Sequence, residues 1–251
     1  MEKVLVSSRD VYKGYLILVN KKYPLRKDNI SRERLAKLED GIYLENRTAS
    51  MLMQLLNELK AEKKITAVSG YRSFREQEKI YNSSLNENGR EFTKKYVALP
   101  GASEHQTGLA IDLGKTKEEI DFLCPEFPFE GICQEFRERA ASYGFIQRYE
   151  EEKEGITGIG HEPWHFRYVG YPHSRIMREG NLTLEEYAEE MENYPYGERT
   201  LVFDEGKQKV EISYLAIGEG EERVLDFSPD AIYQISGNNK KGVIITKWQG
   251  R

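Results

Sequence analysis

The chain has four histidines, and the stretches around two of them combine residue types that could hold a metal ion and use it. In GASEHQTGLAIDLG, residues 101–114, His105 and Asp112 stand in a segment otherwise made of small, polar and aliphatic residues. In GIGHEPWHFRYVG, residues 158–170, Glu162 precedes His165 by three positions. Imidazole and carboxylate are the usual protein ligands of a hydrolytic metal centre, and a second carboxylate nearby is the usual proton carrier.

His161-Glu162-Pro163-Trp164-His165 also matches the H-E-x-x-H pattern of helical zinc proteases letter for letter. That pattern needs both histidines on one face of a helix, and no helix is expected here. GITGIG before it is hostile to helix, Pro163 turns Glu162 away from the helical region, and the residues after it alternate like a strand. His161 therefore loses its standing as a ligand. In an extended or polyproline-like stretch, positions i and i+3 return to the same side, so Glu162 and His165 face a common point. A glutamate beside a metal without binding it is the usual arrangement for a general base that takes a proton from metal-bound water.

His105, Asp112 and His165 then supply two imidazoles and a carboxylate, which leaves a fourth tetrahedral position for water. These three describe an open, catalytic zinc site, with one Zn2+ per chain.

The elements that must position these residues are legible in outline. In GLAIDL, 108–113, alternation predicts a strand with Asp112 and Ala110 on the face opposite Leu109, Ile111 and Leu113. HFRYVGY, 165–171, alternates again. ITAVS, 65–69, is a strand candidate, and Ser73-Phe-Arg-Glu76 reads as a capping box opening a helix that carries Gln77 and stops near Gly89. Arg72 thus sits at a strand-to-helix junction, where side chains tend to project into clefts. A further amphipathic helix is expected from near Glu45, another over 132–142, and strands at YLILV (15–19) and FIQRY (145–149). The turn-prone NKKYPLRKDN follows the first of these, and a second capping box, Thr183 to Glu186, opens a helix that ends before Pro195.

After Pro195 the texture changes to short β-rich runs separated by the turn signals EGKQ, GEGEE and SGNNKKG. The expected division is a domain over 1–195 and a small all-β module over 196–251.

With a formal net charge of −5 and 31% charged residues, the chain lacks the electrostatic footprint of a nucleic-acid binder. No apolar run is long enough for a membrane span or a signal-peptide core, so a cytoplasmic location is expected. Cys124 and Cys133 match no common zinc spacing and are expected to stay reduced and to serve packing.

The pattern S-x-H-x(6)-D from Ser103 to Asp112, followed by E-x-x-H from Glu162 to His165, resembles the zinc D,D-peptidases of the VanX/VanY group, within the superfamily that includes the hedgehog zinc domain. SGYRSFREQ, FTKKYVALPGASEHQTGLAIDLG, GFIQRY and EPWHFRYVGYPHS carry the likeness, which covers roughly residues 15–192 and is nearest to the bifunctional VanXY type. The resemblance implies an α+β fold, an antiparallel sheet with flanking helices, followed by the β module. It implies that His105, Asp112 and His165 bind zinc, that Glu162 activates water, and that Arg72 stabilises the oxyanion. Ser103 and Gln77 would bind the C-terminal carboxylate of the substrate. The implied substrate is the D-Ala-D-Ala dipeptide, the UDP-MurNAc-pentapeptide or both, and the implied role is glycopeptide (vancomycin) resistance. Two other readings remain open at this point: a peptidoglycan endopeptidase whose tail binds the wall, and a zinc-stabilised binding module without catalysis.

Overall fold

A computed structural model describes residues 1–25, 32–39, 41–206 and 209–249. They form two compact units: Val19–Thr183, and a second unit in which Met1–Leu18 joins the chain from Leu184 onward.

The first unit is built on a four-stranded antiparallel sheet, in the order Ile65–Ser69, Ala110–Lys115, His165–Tyr168, Phe145–Gln147. Alternation gives the sheet two unlike faces. Ile111, Leu113, Phe166 and Tyr168 are buried on one, where Phe166 meets Phe127 and Phe136 edge to face at 5.4 and 5.0 Å. Each such ring withdrawn from water contributes roughly 1.5–3 kcal/mol. The other face carries Asp112 and His165, directly paired across strands, with Ala110 opposite Arg167 next to them.

Two helices back the apolar side. Asn46–Leu59 starts where Glu45 accepts the backbone N–H groups of Arg47 and Thr48, and it ends at Lys60 in the left-handed region. Its Leu52 and Leu55 are fully buried, and it packs against the helix Gly131–Ala140. The helix Phe74–Glu87 opens with the expected capping box between Ser73 and Glu76. A separate helix, Gly89–Tyr96, which the sequence pattern did not announce, follows at once because Gly89 takes φ +80 and reverses the chain.

The second unit contains a sheet in the order Ile232–Gly237, Gly242–Trp248, Lys209–Ala216, Leu201–Asp204, and a two-stranded sheet that pairs Glu2–Ser7 with Glu222–Phe227. Val6, Val11, Leu225, Phe227, Val243 and Ile245 share its core. The β character expected of the tail is present, but the compact unit is larger than residues 196–251. Tyr214 exchanges backbone hydrogen bonds with Tyr194 and Tyr196, which ties the chain on both sides of Pro195 to the sheet. The N-terminal strand supplies a pairing partner from the far end of the chain, in register from Ser7 with Glu222 to Glu2 with Phe227, which local patterning does not reveal.

Leu16, Ile17, Leu18 and Val19 of YLILV are buried, but the stretch forms no strand. Its backbone is bonded instead by side chains and a turn: Leu16 N–H donates to Ser236 Oγ at 2.8 Å, and Leu18 O accepts from Asn239 Nδ2 at 2.8 Å. FIQRY is a strand only as far as Gln147. The NKKYPLRKDN stretch bends at Asn20–Tyr23, and its end from Arg26 lies outside the described residues, as do Lys207 and Gln208 of the EGKQ signal. Among the described residues no helix is long and apolar enough to cross a membrane.

Candidate metal centre

Asp112 projects from the middle of its strand, and the sheet register sets His165 directly opposite it. His105 arrives from another direction, on the short turn Glu104–Thr107 between Ser103 and Gly108. Gly108 closes that turn with φ +69, and the whole GASEHQTG segment is buried despite its polar composition. One ligand atom from each of His105, Asp112 and His165 lies within 4.8 Å of the others, and all three residues are buried. His105 Nε2 is 3.1 Å from Asp112 Oδ2, and His165 Nδ1 is 2.8 Å from Asp112 Oδ1.

The far nitrogen of each imidazole is also occupied. His105 Nδ1 donates to the Gly70 carbonyl at 2.7 Å, which leaves Nε2 as the lone-pair atom facing Asp112. Gly70 reaches this position because its backbone packs on the Tyr43 carbonyl, where a Cβ would sit 2.4 Å from the oxygen. His165 Nε2 lies 3.3 Å from Glu104 Oε2. Two lone pairs and a carboxylate therefore converge on one point, a donor set that suits zinc and leaves one tetrahedral position open.

The charges fit a cation. Burial and the Arg72 guanidinium pull His105 down to about 4. Burial also opposes a charge on His165, but its hydrogen bonds to Asp112 and Glu104 outweigh that and carry it up to about 9. Burial raises the Asp112 carboxyl, yet His105 and His165 hold it far below the usual carboxylate range. Without metal, the cluster thus retains a proton on His165 where a cation would otherwise balance the carboxylates.

Glu162 stands beside this group, with Oε2 3.7 Å from His165 Nδ1. No helix runs through 161–165; the strand begins at His165. Burial, helped by the Asp112 charge and opposed by His165, pushes Glu162 up to about 8. A carboxyl of that kind exchanges a proton near neutral pH. His161 points elsewhere: its ring stacks on Phe129 at 5.9 Å, and Nδ1 lies 3.2 Å from the Tyr149 carbonyl.

Arg72 Nη2 is 3.6 Å from Asp112 Oδ2, and its Nε is buried without a hydrogen-bond partner. Gln77 spans Arg72 and the backbone, accepting from Arg72 Nη1 at 3.1 Å and donating to the Ala98 carbonyl at 2.8 Å. Its amide is thus engaged in holding the guanidinium. Ser103 is 3% exposed. All seven residues singled out in the sequence line one small cavity of about 40 Å³, whose lining also includes the apolar Ile80, Val97, Phe122, Leu123, Ile159 and Trp164. A larger cavity of about 250 Å³ shares Tyr149 with it but contains none of the clustered metal-ligating residues.

Four participants were not foreseen. Glu104, Arg148 and Arg167 form a buried cluster behind His165, with Arg148 Nε and Arg167 Nη1 at 3.1 and 2.9 Å from Glu104 Oε1. Tyr149 adopts φ +43, uncommon for a non-glycine residue, and so lays its ring 4.8 Å from His165 while its carbonyl accepts from Glu162 N–H.

The sequence profile described as VanY, D-alanyl-D-alanine carboxypeptidase, matches residues 41–171, the segment that holds every residue of this centre. The chain belongs to the VanY family. It is 46% identical over 175 residues to the bifunctional D-Ala-D-Ala dipeptidase and D-Ala-D-Ala carboxypeptidase VanXYC of Enterococcus gallinarum, covering 68% of this chain and 92% of the relative. The crystal structure of the vancomycin resistance D,D-dipeptidase VanXYg in complex with a D-Ala-D-Ala phosphinate analog is similar with a TM-score of 0.95 and 45% identity, over 99% of each chain. A VanY D,D-pentapeptidase from a VanB-type cassette, solved in complex with Zn(II), is similar with a TM-score of 0.55 and 29% identity, over 69% of this chain and 98% of that one. The family and the α+β fold expected from the motifs are those observed.

Proposed function

We propose that this chain is a zinc D,D-peptidase that cleaves the peptide bond of D-Ala-D-Ala, both as the free dipeptide and as the terminus of the UDP-linked muramyl pentapeptide. The observation that carries this reading is the convergence of His105, Asp112 and His165 with Glu162 and Arg72 on one buried cavity. Its likeness to VanXYC and VanXYg supports the substrate, and their named activities extend to this chain as vancomycin resistance by removal of D-Ala-D-Ala termini.

In this reading His105 Nε2, an Asp112 carboxylate oxygen and His165 Nδ1 would hold the zinc. When bound, it supplies a nucleophile at neutral pH and polarises the scissile carbonyl. Glu162, whose Oε2 lies beside the ligand cluster, takes the proton released on attack and returns it to the departing D-alanine amine. The Arg72 guanidinium, fixed by Gln77, is the positive charge where the oxyanion develops. Ser103 offers its hydroxyl to the substrate carboxylate, and the apolar wall receives the alanine methyl groups.

A cytoplasmic location belongs to the same reading, because the UDP-linked precursor is a cytoplasmic substrate and both thiols are free. The β-rich unit is accessory to it. Assay of D-alanine release from the dipeptide and from the UDP-linked pentapeptide by the zinc-loaded protein tests the proposal. Release from both supports it, and release from neither refutes it.

A further inference from the structure

Glu104 is 1% exposed, and its two oxygens are divided between different partners. Oε1 accepts from Arg148 and Arg167, while Oε2 faces His165 Nε2 at 3.3 Å. The arginine side chains are themselves 2% and 0% exposed. Burying three ionised groups carries a large desolvation cost before pairing, and such clusters commonly add little net stability over apolar packing. Stability alone is therefore a poor reason for this cluster to lie here.

The geometry around His165 gives a better one. An imidazole that binds a metal must present a lone pair at one nitrogen and a hydrogen at the other. Nδ1 is the nitrogen on the side of Asp112 and Glu162, so Nε2 must carry the hydrogen. An acceptor at Nε2 imposes that choice, and Glu104 is one that cannot turn away. Arg148 and Arg167 pin Oε1, so the carboxylate plane and Oε2 are fixed with it. Arg167 follows His165 by two residues on the same strand and so projects to the same face. Arg148 N–H donates to the His165 carbonyl at 3.0 Å, which ties the second arginine to the same residue.

We infer that Glu104, clamped by Arg148 and Arg167, is a positioning residue that holds His165 in the tautomer and orientation whose Nδ1 binds the metal. This rests on the metal site proposed above. The competing account is that Glu104 only neutralises two buried arginines.

Two variants separate the accounts. Glu104→Gln removes the carboxylate, and Glu104→Gln combined with Arg148→Met also returns the cluster to its original net charge. Zinc affinity is measured by competition with a chromophoric chelator, without substrate. Loss of such an outer partner costs about 10–100-fold in affinity. The positioning role predicts that loss in Glu104→Gln and in the charge-balanced double variant alike. Recovery of wild-type affinity by the double variant, or unchanged affinity in Glu104→Gln, would overturn it.

A measurement on the wild type keeps the question decidable if neither variant folds. In the zinc-loaded protein, imidazole 15N shifts should show His165 with a protonated Nε2 and a metal-bound Nδ1; metal on Nε2 would contradict the proposal. Wild type that takes up no zinc would bring down the metal reading and this inference together. Zinc uptake without D-alanine release would bring down the substrate reading alone.

Discussion

Asp112 and His165 are directly opposed residues of neighbouring antiparallel strands, and their side chains meet at 2.8 Å. Two of the three proposed metal ligands are thus positioned by backbone pairing, and only His105 depends on a turn. A one-residue slip in this register would send one of the pair to the apolar face.

Metal dependence follows from the donor set. Chelation should abolish activity and added zinc should restore it. In Asp112→Ala, stoichiometric zinc should not be retained through gel filtration, as read by metal analysis. Full activity in metal-free wild type would rule out the site.

The metal-free protein should lose stability as pH rises from about neutral to 9. Glu162 is raised from 4.5 to about 8, so between those values the folded chain keeps a proton that the unfolded chain has released, and stability falls with pH. His165, raised from 6.5 to about 9, contributes fully below 6.5 and loses its contribution as pH climbs through 9. His105 has the opposite sign: lowered to about 4, it favours folding above 6.5 and loses that contribution as pH falls towards 4. Thermal melts of chelated protein should show Tm dropping on the alkaline side, less steeply in Glu162→Gln. Zinc affinity should rise over the same range, since His165 must give up its proton to bind. A flat or rising alkaline Tm in the chelated protein would contradict these assignments.

Gln77 and Arg72 should act as one unit. Since the Gln77 amide is spent on Arg72 and Ala98, Gln77→Ala should lower kcat by displacing the guanidinium. The double variant with Arg72→Ala should then be little worse than Arg72→Ala alone, with a coupling of about 0.5–3 kcal/mol. Additive losses, with KM rising in Gln77→Ala alone, would assign Gln77 to the substrate carboxylate instead.

His161→Ala should keep both zinc and most of the activity, because His161 stacks on Phe129 outside the ligand cluster. Loss of stoichiometric zinc would show that the H-E-x-x-H letters matter after all.

Much of this candidate centre is legible in the amino-acid sequence because its proposed ligands sit on elements with strong local signals. Alternation in GLAIDL puts Asp112 on the polar face, Pro163 excludes a helix at His161, and the Ser73–Glu76 box places Arg72 at a helix entrance. Glu104 and Arg167 were missed because a charged residue in a turn or on a strand reads as solvated, and only the tertiary fold buries them together. Arg167 lies two residues beyond His165 on an alternating strand, and that was the one signal that could have flagged it. YLILV is apolar enough to be buried, yet its backbone bonds go to Ser236 and Asn239, more than 200 positions away. The strand Glu2–Ser7 depends in the same way on a distant partner, so the unit boundary was not visible locally.

The most direct test of the account is D-alanine release from D-Ala-D-Ala by zinc-loaded wild type and Glu162→Gln side by side, with bound zinc measured in both. Equal zinc is expected in both, with turnover lower in the variant by about 10²–10⁴-fold, the usual contribution of a positioned proton carrier. Equal turnover at equal zinc would contradict it.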